Sequence, residues 1–190
     1  MSLSPQQTAT LKADILAKTT AGQPLEALFA AQNWDGIADF YNALASPDFP
    51  VWRKDTPVGA IFDAITWANY TPNDAADGTT IYGNRLLIIQ TKQMNLQNML
   101  VGRDTIDATK ANTRAGLRDA VIALPAGAAG AAVSAGGASG VTVLTACTRK
   151  GSVIEKLLTL GPATTGTTTA DLMGFEGMIS AREILDTTRS

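Results

Sequence analysis

Two helix-forming runs in residues 79–124 constrain the fold more than any other feature of the sequence. In the first run, apolar side chains recur three, four and seven positions apart, which places them on one face of a helix: Leu86, Ile89, Leu96 and Leu100. A glycine follows this run, and a proline, which cannot continue helical hydrogen bonds, follows the second. We therefore predict one helix over 79–101 and another from Asp107 or Thr109 to the proline, joined in an αα-hairpin with Asp107 as the N-cap.

The first helix of this hairpin carries more apolar residues than one buried face needs. Leu87, Ile88 and Met94 fall on its flanks. An apolar surface that wide indicates a helix that is covered from more than one side. In a chain of 190 residues, another copy of the protein is one source of that cover.

Helix-starting signals recur through the rest of the chain. Capping boxes, in which a serine and a Gln or Glu three residues later cap the same helix start, begin at Ser4, Ser152 and Ser180. Asp35 is expected to cap a further helix, and residues 56–57, a Thr-Pro pair, to cap and begin another. These signals predict that most of the chain is helical.

A β-prone exception lies near the C-terminus. Residues 167–179 alternate apolar and small side chains after a threonine-rich run, which predicts short strands or a small β-hairpin. The predicted fold class is mainly α: a helical bundle built on the long αα-hairpin, with this small β-element near the C-terminus. The length favours a single domain over 1–190.

Two segments are candidates for extensions from that domain. Residues 126–140, rich in Gly and Ala, hold no charge and one large side chain, Val133, which is typical of a flexible arm. Two interpretations are open: a disordered excursion, or an arm that becomes ordered against a neighbouring subunit. The C-terminal tail, 180–190, begins with a short helix and is expected to end in exposed polar residues.

The residue types needed for common catalytic sites are sparse. The chain has no histidine, which removes the Ser/His/Asp and Cys/His arrangements, and its one cysteine, Cys147, is expected to be a small buried side chain. Two carboxylate pairs, Asp74 with Asp77 and Asp104 with Asp107, could bind a cation, but capping and turn roles are favoured. We expect no enzyme activity, no cofactor and no metal site.

Charge and hydropathy restrict the partners further. Charged residues make up 17% of the chain, below the usual quarter, and the formal net charge is −2. Without a run of Lys or Arg, a broad nucleic-acid-binding surface is not expected. The apolar runs are too short for a membrane span, and the N-terminus lacks the pattern of a signal peptide. A weakly charged surface is typical of a subunit that meets other subunits.

Several segments together resemble a family of small tailed-phage and prophage proteins. They are NRLLIIQTKQMNLQNMLVGRDTIDATKANTRAGLRDAVIALPAG, TRKGSVIEKLL and FEGMIS followed by AREIL, with the opening SPQQTATLKADILA and the segment VWRKDTPVGAI. The resemblance covers most of the chain. Proteins of this family are head-to-tail connector, or adaptor, proteins of the phage neck.

The resemblance implies a structural virion protein made in the host cytoplasm and located at the head-to-tail junction. It implies a mainly helical subunit in a homo-oligomeric ring of twelve beneath the portal protein, contacting a tail or nozzle protein below. Genomic DNA would pass through the ring without sequence-specific binding. The alternatives are a tail completion or terminator ring protein, often six-fold, and a DNA-packaging accessory factor. The resemblance brings no catalytic residues.

Candidate contact residues follow from these expectations. Arg114 and Arg118 lie one helical turn apart and could form ionic contacts to a partner. The arm and the tail of an adaptor commonly reach a neighbouring subunit or the portal. The candidate subunit or portal contacts are Arg114, Arg118, Val133, Arg182, Ile184, Leu185 and Arg189.

Overall fold

The computed structural model of the chain describes residues 3–71, 80–125, 132–159 and 173–189. The fold is mainly helical, at 57% helix, so the mainly α prediction is confirmed. Across the described ranges the α-helices are α1 (Pro5–Lys18), α2 (Glu26–Ala30), α3 (Trp34–Asn42), α4 (Val58–Asp63), α5 (Thr80–Leu100), α6 (Ala111–Val121), α7 (Val141–Ala146), α8 (Val153–Leu157) and α9 (Ala181–Arg189). The strands there are β1 (Pro50–Trp52), β2 (Thr56–Pro57), β3 (Thr105–Ile106) and β4 (Thr148–Lys150).

The chain divides into two compact units. The first unit comprises Met1–Val51 and Lys150–Ser190, and the second comprises Trp52–Arg149. Strand β1 pairs with β4, and β2 pairs with β3. A single domain over the whole chain stays a prediction.

The first unit is a helical cluster around one apolar core. Helices α1, α3, α8 and α9 surround that core, whose largest fully buried side chains include Leu11, Ile37 and Tyr41. The Tyr41 hydroxyl donates a 2.6 Å hydrogen bond to the Asp14 carboxylate. The predicted capping boxes at Ser4 and Ser152 are both confirmed, and each starts a helix of this unit.

The second unit contains α5 and α6, the two helices of the region for which a hairpin was predicted, while a bundle built on a long hairpin stays a prediction. Helix α5 packs on α6, where Gly116 comes close to the Met99 side chain. The glycine predicted to end the first helix, Gly102, follows α5 with φ +70°, a conformation that favours glycine. The Tyr70 hydroxyl donates a 2.9 Å hydrogen bond to the buried Ala120 carbonyl of α6.

Two predicted N-caps are wrong. Asn33, not Asp35, caps α3, because its side-chain oxygen accepts from the Gly36 N–H at 2.9 Å and Asp35 already lies inside the helix. Asp107 does not start α6, which begins at Ala111. Its carboxylate instead accepts from the Thr109 N–H at 3.0 Å and closes a local turn. Asn and Asp cap equally well, so residue type alone does not select between neighbours.

The Thr-Pro pair at 56–57 also differs from its prediction. It forms β2, antiparallel to β3, with Thr56 opposite Ile106. The Thr56 side chain is fully buried, so the pair is held by strand pairing, and α4 begins one residue later. Helix α4 ends at Asp63, and Trp67–Tyr70 is a separate 3-10 helix.

The predicted C-terminal β-element is not found where it can be checked. Residues 167–172 lie outside the described residues, and 173–179 contain no strand. In place of a strand partner, the Asn42 side-chain amide makes two 2.8 Å hydrogen bonds to the backbone of Ile179, one to the N–H and one to the carbonyl. The Asn42 side chain therefore satisfies the N–H and carbonyl of Ile179, for which the alternating apolar and small residues had predicted strand hydrogen bonds.

Candidate functional site

The described part of the predicted arm packs on its own unit. Leu124 and Val133 exchange backbone hydrogen bonds of 2.9 and 2.8 Å, and Ala135 is fully buried. The expectation of a free arm is corrected for residues 132–140, while 126–131 lie outside the described residues. Small residues allow this packing, since a Cβ at Gly136 would lie 2.6 Å from a methyl group of Val121. Val133 is half-buried in this bridge, and its predicted contact with a neighbouring subunit or the portal stays a prediction.

Arg114 is held by its own chain. Its Nη1 donates to the carbonyl oxygens of Ala108 and Thr109, both at 2.7 Å, and its guanidinium lies 4.5 Å from the centre of the Trp52 ring. These contacts fix the turn before α6, and the ionic contact to a partner predicted for Arg114, which is half-buried, stays a prediction. Arg118, one turn later, is exposed and stays a candidate contact.

The C-terminal tail is an ordered helix up to Arg189. Its capping box is confirmed: the Ser180 N–H donates to the Glu183 carboxylate at 2.9 Å, and the Glu183 N–H donates back to the Ser180 hydroxyl at 3.3 Å. Ile184 is fully buried in the core of the first unit, so it is not a subunit contact. Leu185, the next residue, is half-buried.

The arginines of α9 face solvent. Arg182 and Arg189 are both exposed, and Arg182 pairs with Asp186 at 3.9 Å across one helical turn. An exposed pair of this kind contributes little to stability, so both arginines stay candidates for a partner contact.

The candidate acidic and thiol groups have structural roles in the described chain. The Thr109 hydroxyl, which donates to the Asp107 carboxylate, is the main cause that lowers the pKa of Asp107. Asp74 and Asp77 lie outside the described residues. Elsewhere in the described ranges, no group of three or more His, Cys, Asp or Glu is placed to hold a metal ion. Cys147 is fully buried, as expected, and burial raises its pKa to about 11.

The exposed surface of α5 contains none of the residues predicted as contacts. From residue 83 to residue 98, every exposed residue of this helix is uncharged, and we refer to this set as the outer face: Gly83, Asn84, Leu87, Ile88, Gln90, Thr91, Met94, Asn95, Gln97 and Asn98. Leu87, Ile88 and Met94 are among the large apolar side chains exposed to solvent, as is Val101 just after the helix. Thus α6 packs on α5, while the outer face stays exposed and uncharged, with both polar and large apolar side chains.

The two cations of α5 are turned away from the outer face. Arg85 is buried, and Lys92 donates to the Asp119 carbonyl of α6 and lies 3.4 Å from the Asp119 carboxylate. The neutrality of the outer face therefore results from where the charged side chains are placed. The sequence signal for this face is the excess of apolar residues, Leu87, Ile88 and Met94, although the predicted contact residues do not include them.

A cleft of about 500 Å³ lies beside the outer face, between α5, the following turn and α6. Its polar lining includes Asn95, Asn98, Arg103, Asp107, Lys110 and Asp119. Lys110 lies 3.7 Å from the Asp107 carboxylate, so charges of both signs meet in this cleft.

The helices in the described ranges include none with the length and apolar character needed to cross a membrane. Comparison of the chain with protein-family models, with curated proteins and with solved structures gave no match.

Proposed function

We propose that this protein is a structural subunit of a tailed-phage particle: an adaptor that forms a ring beneath the portal and surrounds the DNA as it passes. The observation that carries the proposal is the neutral outer face of α5. The resemblance of most of the chain to phage connector proteins supports the same function, and the mainly helical fold is compatible with it.

A neutral helix face suits a channel for DNA. Duplex DNA binds proteins largely through Lys and Arg, which neutralise phosphates and release counterions. The outer face offers amides, a hydroxyl and apolar groups in place of cations. DNA sliding along such a wall would gain little binding free energy. Its binding would not depend on the base sequence.

In this proposal the α5–α6 hairpin is the element on which the subunit is built. A closed ring needs two different surfaces on each subunit, one for each neighbour. Exposed cations, including Arg118 on α6 and Arg182 and Arg189 on α9, are candidates for contacts with the portal protein above and a tail or nozzle protein below.

The mass of the purified protein mixed with the cognate portal ring tests the proposal. A portal complex carrying twelve copies is the expected result. A protein that ignores the portal and is found at the far end of purified tails would replace the proposal with a tail terminator. A protein absent from virions that binds DNA with strong salt dependence would instead indicate a packaging factor.

A further inference from the structure

We propose that a pocket in the first unit binds the C-terminal residue of a partner protein, recognising a free carboxylate joined to an apolar side chain. The pocket has a volume of about 300 Å³ and is lined by α1, α3, the loop that follows α3, and α8. All of its lining residues belong to the first unit. The inference goes beyond the proposed function, because it uses no residue of α5 and requires neither the ring nor the portal.

Two lysines and one carboxylate line the pocket. Lys18 of α1 donates to both oxygens of Asp14 on the same helix, and Lys156 of α8 donates to the Pro47 carbonyl at 3.3 Å. An ammonium group has three N–H donors, so each lysine keeps a donor for a ligand. The pocket therefore has a net positive charge, although the first unit as a whole has more acidic than basic residues. This charge favours an anionic ligand.

The carboxylate that pairs with Lys18 is held in place from inside the protein. Tyr41 is fully buried, and its hydroxyl donates a 2.6 Å hydrogen bond to the Asp14 carboxylate. The Lys18 ammonium lies 6.0 Å from the centre of the Tyr41 ring. Binding sites gain affinity when their polar groups are already held in position. A ligand carboxylate would therefore meet an ammonium group whose position is set by Asp14 and Tyr41.

Apolar side chains complete much of the pocket wall. Phe40, Val153 and Leu157 line the pocket, and each is half-buried, so part of each side chain is open to solvent. Covering these groups with an apolar ligand would stabilise the complex through the hydrophobic effect. The lysines and the apolar wall together select a ligand that carries both a carboxylate and an apolar group.

The end of a peptide chain fits these features better than a free amino acid or a fatty acid does. Free leucine would bring an ammonium group close to the two lysines, where like charges repel. A fatty acid has no N–H donor. The last residue of a peptide has a neutral N–H beside its carboxylate, and the exposed Ser46 hydroxyl in the pocket lining can accept it. Capture of a terminal carboxylate is a recurring mode of peptide recognition.

Nuclear magnetic resonance titration of the purified chain with an N-acetylated peptide ending in Gly-Ser-Leu tests the proposal. Chemical-shift changes are expected at the backbone amides of Ser46, Val153 and Leu157. The same peptide with an amidated C-terminus should bind about tenfold more weakly or worse, because it loses charge-assisted hydrogen bonds to the lysines. A peptide ending in serine should also bind more weakly, because it leaves the apolar wall uncovered.

Two lysine variants separate the pocket from the general charge of the protein. Lys156→Gln removes one cation from the pocket and should weaken binding of the acid peptide about fivefold or more, with little effect on the amidated peptide. Lys12→Gln is the matched control, because Lys12 is also half-buried and lies on α1 outside the pocket lining. It should bind the acid peptide like the wild type. Thermal unfolding checks that both variants are folded.

Three results would overturn the proposal: no shift changes at the pocket, equal binding of the acid and amidated peptides, or equal binding by the Lys156→Gln and Lys12→Gln variants. Octanoate that binds as tightly as the acid peptide would also overturn it and would assign the pocket to a free carboxylic acid. These measurements use the purified chain alone. Absence of the protein from virions would therefore refute the proposed function without affecting this pocket.

Discussion

Helices α5 and α9 expose different kinds of side chain to solvent. Helix α9 buries Ile184 and Thr187 and turns Arg182, Asp186 and Arg189 outward. Helix α5 buries one side and turns apolar and amide side chains outward. The low charge of the chain is therefore distributed unevenly between helices. The exposed side of α9 carries charges of both signs, whereas the exposed side of α5 carries none from residue 83 to residue 98.

The largest expected effect comes from the buried side of α9. Ile184→Ala removes a fully buried side chain and should lower the free energy of unfolding by about 2–5 kcal/mol. Leu87→Ala on α5, measured by the same denaturant titration at low protein concentration, should change it by no more than about 0.5 kcal/mol. Equal losses would mean that Leu87 is covered within the monomer, and the contrast between the helices would fail.

Two buried tyrosines, Tyr41 near α9 and Tyr70 near α5, allow the stability of the two regions to be compared. Tyr41 in α3, which packs on α9, donates to a carboxylate, and Tyr70, beside α5, donates to a carbonyl. Tyr41→Phe should lower stability by about 1.5–3 kcal/mol, and Tyr70→Phe by about 0.5–1.5 kcal/mol. Chemical denaturation at neutral pH measures both losses. A larger loss of stability for Tyr70→Phe than for Tyr41→Phe would contradict the expectation that the bond to the Asp14 carboxylate is the stronger one.

The raised pKa values of Tyr41 and Tyr70 predict that the folded protein loses stability at high pH. Burial, and then the hydrogen bond and charge of Asp14, raise the pKa of Tyr41, while burial raises that of Tyr70 to about 12. Above the ordinary value of 10.0, the unfolded chain releases these protons before the folded chain does. Stability contributed by each hydroxyl is complete below pH 10 and falls as pH rises above it. Each Tyr→Phe variant should show a shallower decline, and an unchanged slope would exclude that tyrosine as its source.

Alanine substitutions of two helical glycines, Gly83 in α5 and Gly116 in α6, are expected to differ in stability by a smaller amount. A Cβ at Gly83, on the outer face, meets no atom within 4 Å, so Gly83→Ala should stabilise the helix by about 0.5–1 kcal/mol. A Cβ at Gly116 would lie 3.0 Å from the Met99 sulfur and terminal carbon. Displacement of Met99 should cancel the helical gain in Gly116→Ala. Thermal unfolding of the two variants separates them, and equal stabilisation would mean that α6 does not press on α5 at this point.

The smallest effect is expected on the outer side of α9. Arg182 and Asp186 are both exposed, so Arg182→Ala should change stability by no more than about 0.5 kcal/mol. A double-mutant cycle with Asp186→Ala, repeated at high salt, measures the coupling between them. Coupling above about 1 kcal/mol that survives salt would show that this side of α9 is not simply solvated.

The sequence predicted the elements that depend on local signals. The long run of α5 and the capping boxes at Ser4, Ser152 and Ser180 were all correct because each depends on residues within a few positions of one another. The cap of α3 was missed because Asn33 and Asp35 offer equivalent oxygens, and backbone conformation decides between them.

The other failures depend on contacts between distant residues. Asn42 binds the backbone of Ile179, across 137 positions, and the guanidinium of Arg114 lies over the Trp52 ring, which no local pattern connects to it. The outer face of α5 was visible in the sequence as excess apolar residues. Its neutrality depended on where Arg85 and Lys92 point, which only packing determines.

The two bonds from Asn42 to Ile179 have a consequence for synthesis on the ribosome. The first unit combines residues from both ends of the chain, while the second comes from one continuous segment. As the chain emerges, the second unit can acquire its structure first, because domains generally fold as units once their residues are available. The N-terminal helices must wait for α8 and α9 to close their core. A chain interrupted during translation would expose that core and be open to proteolysis, so only chains translated through α9 would accumulate.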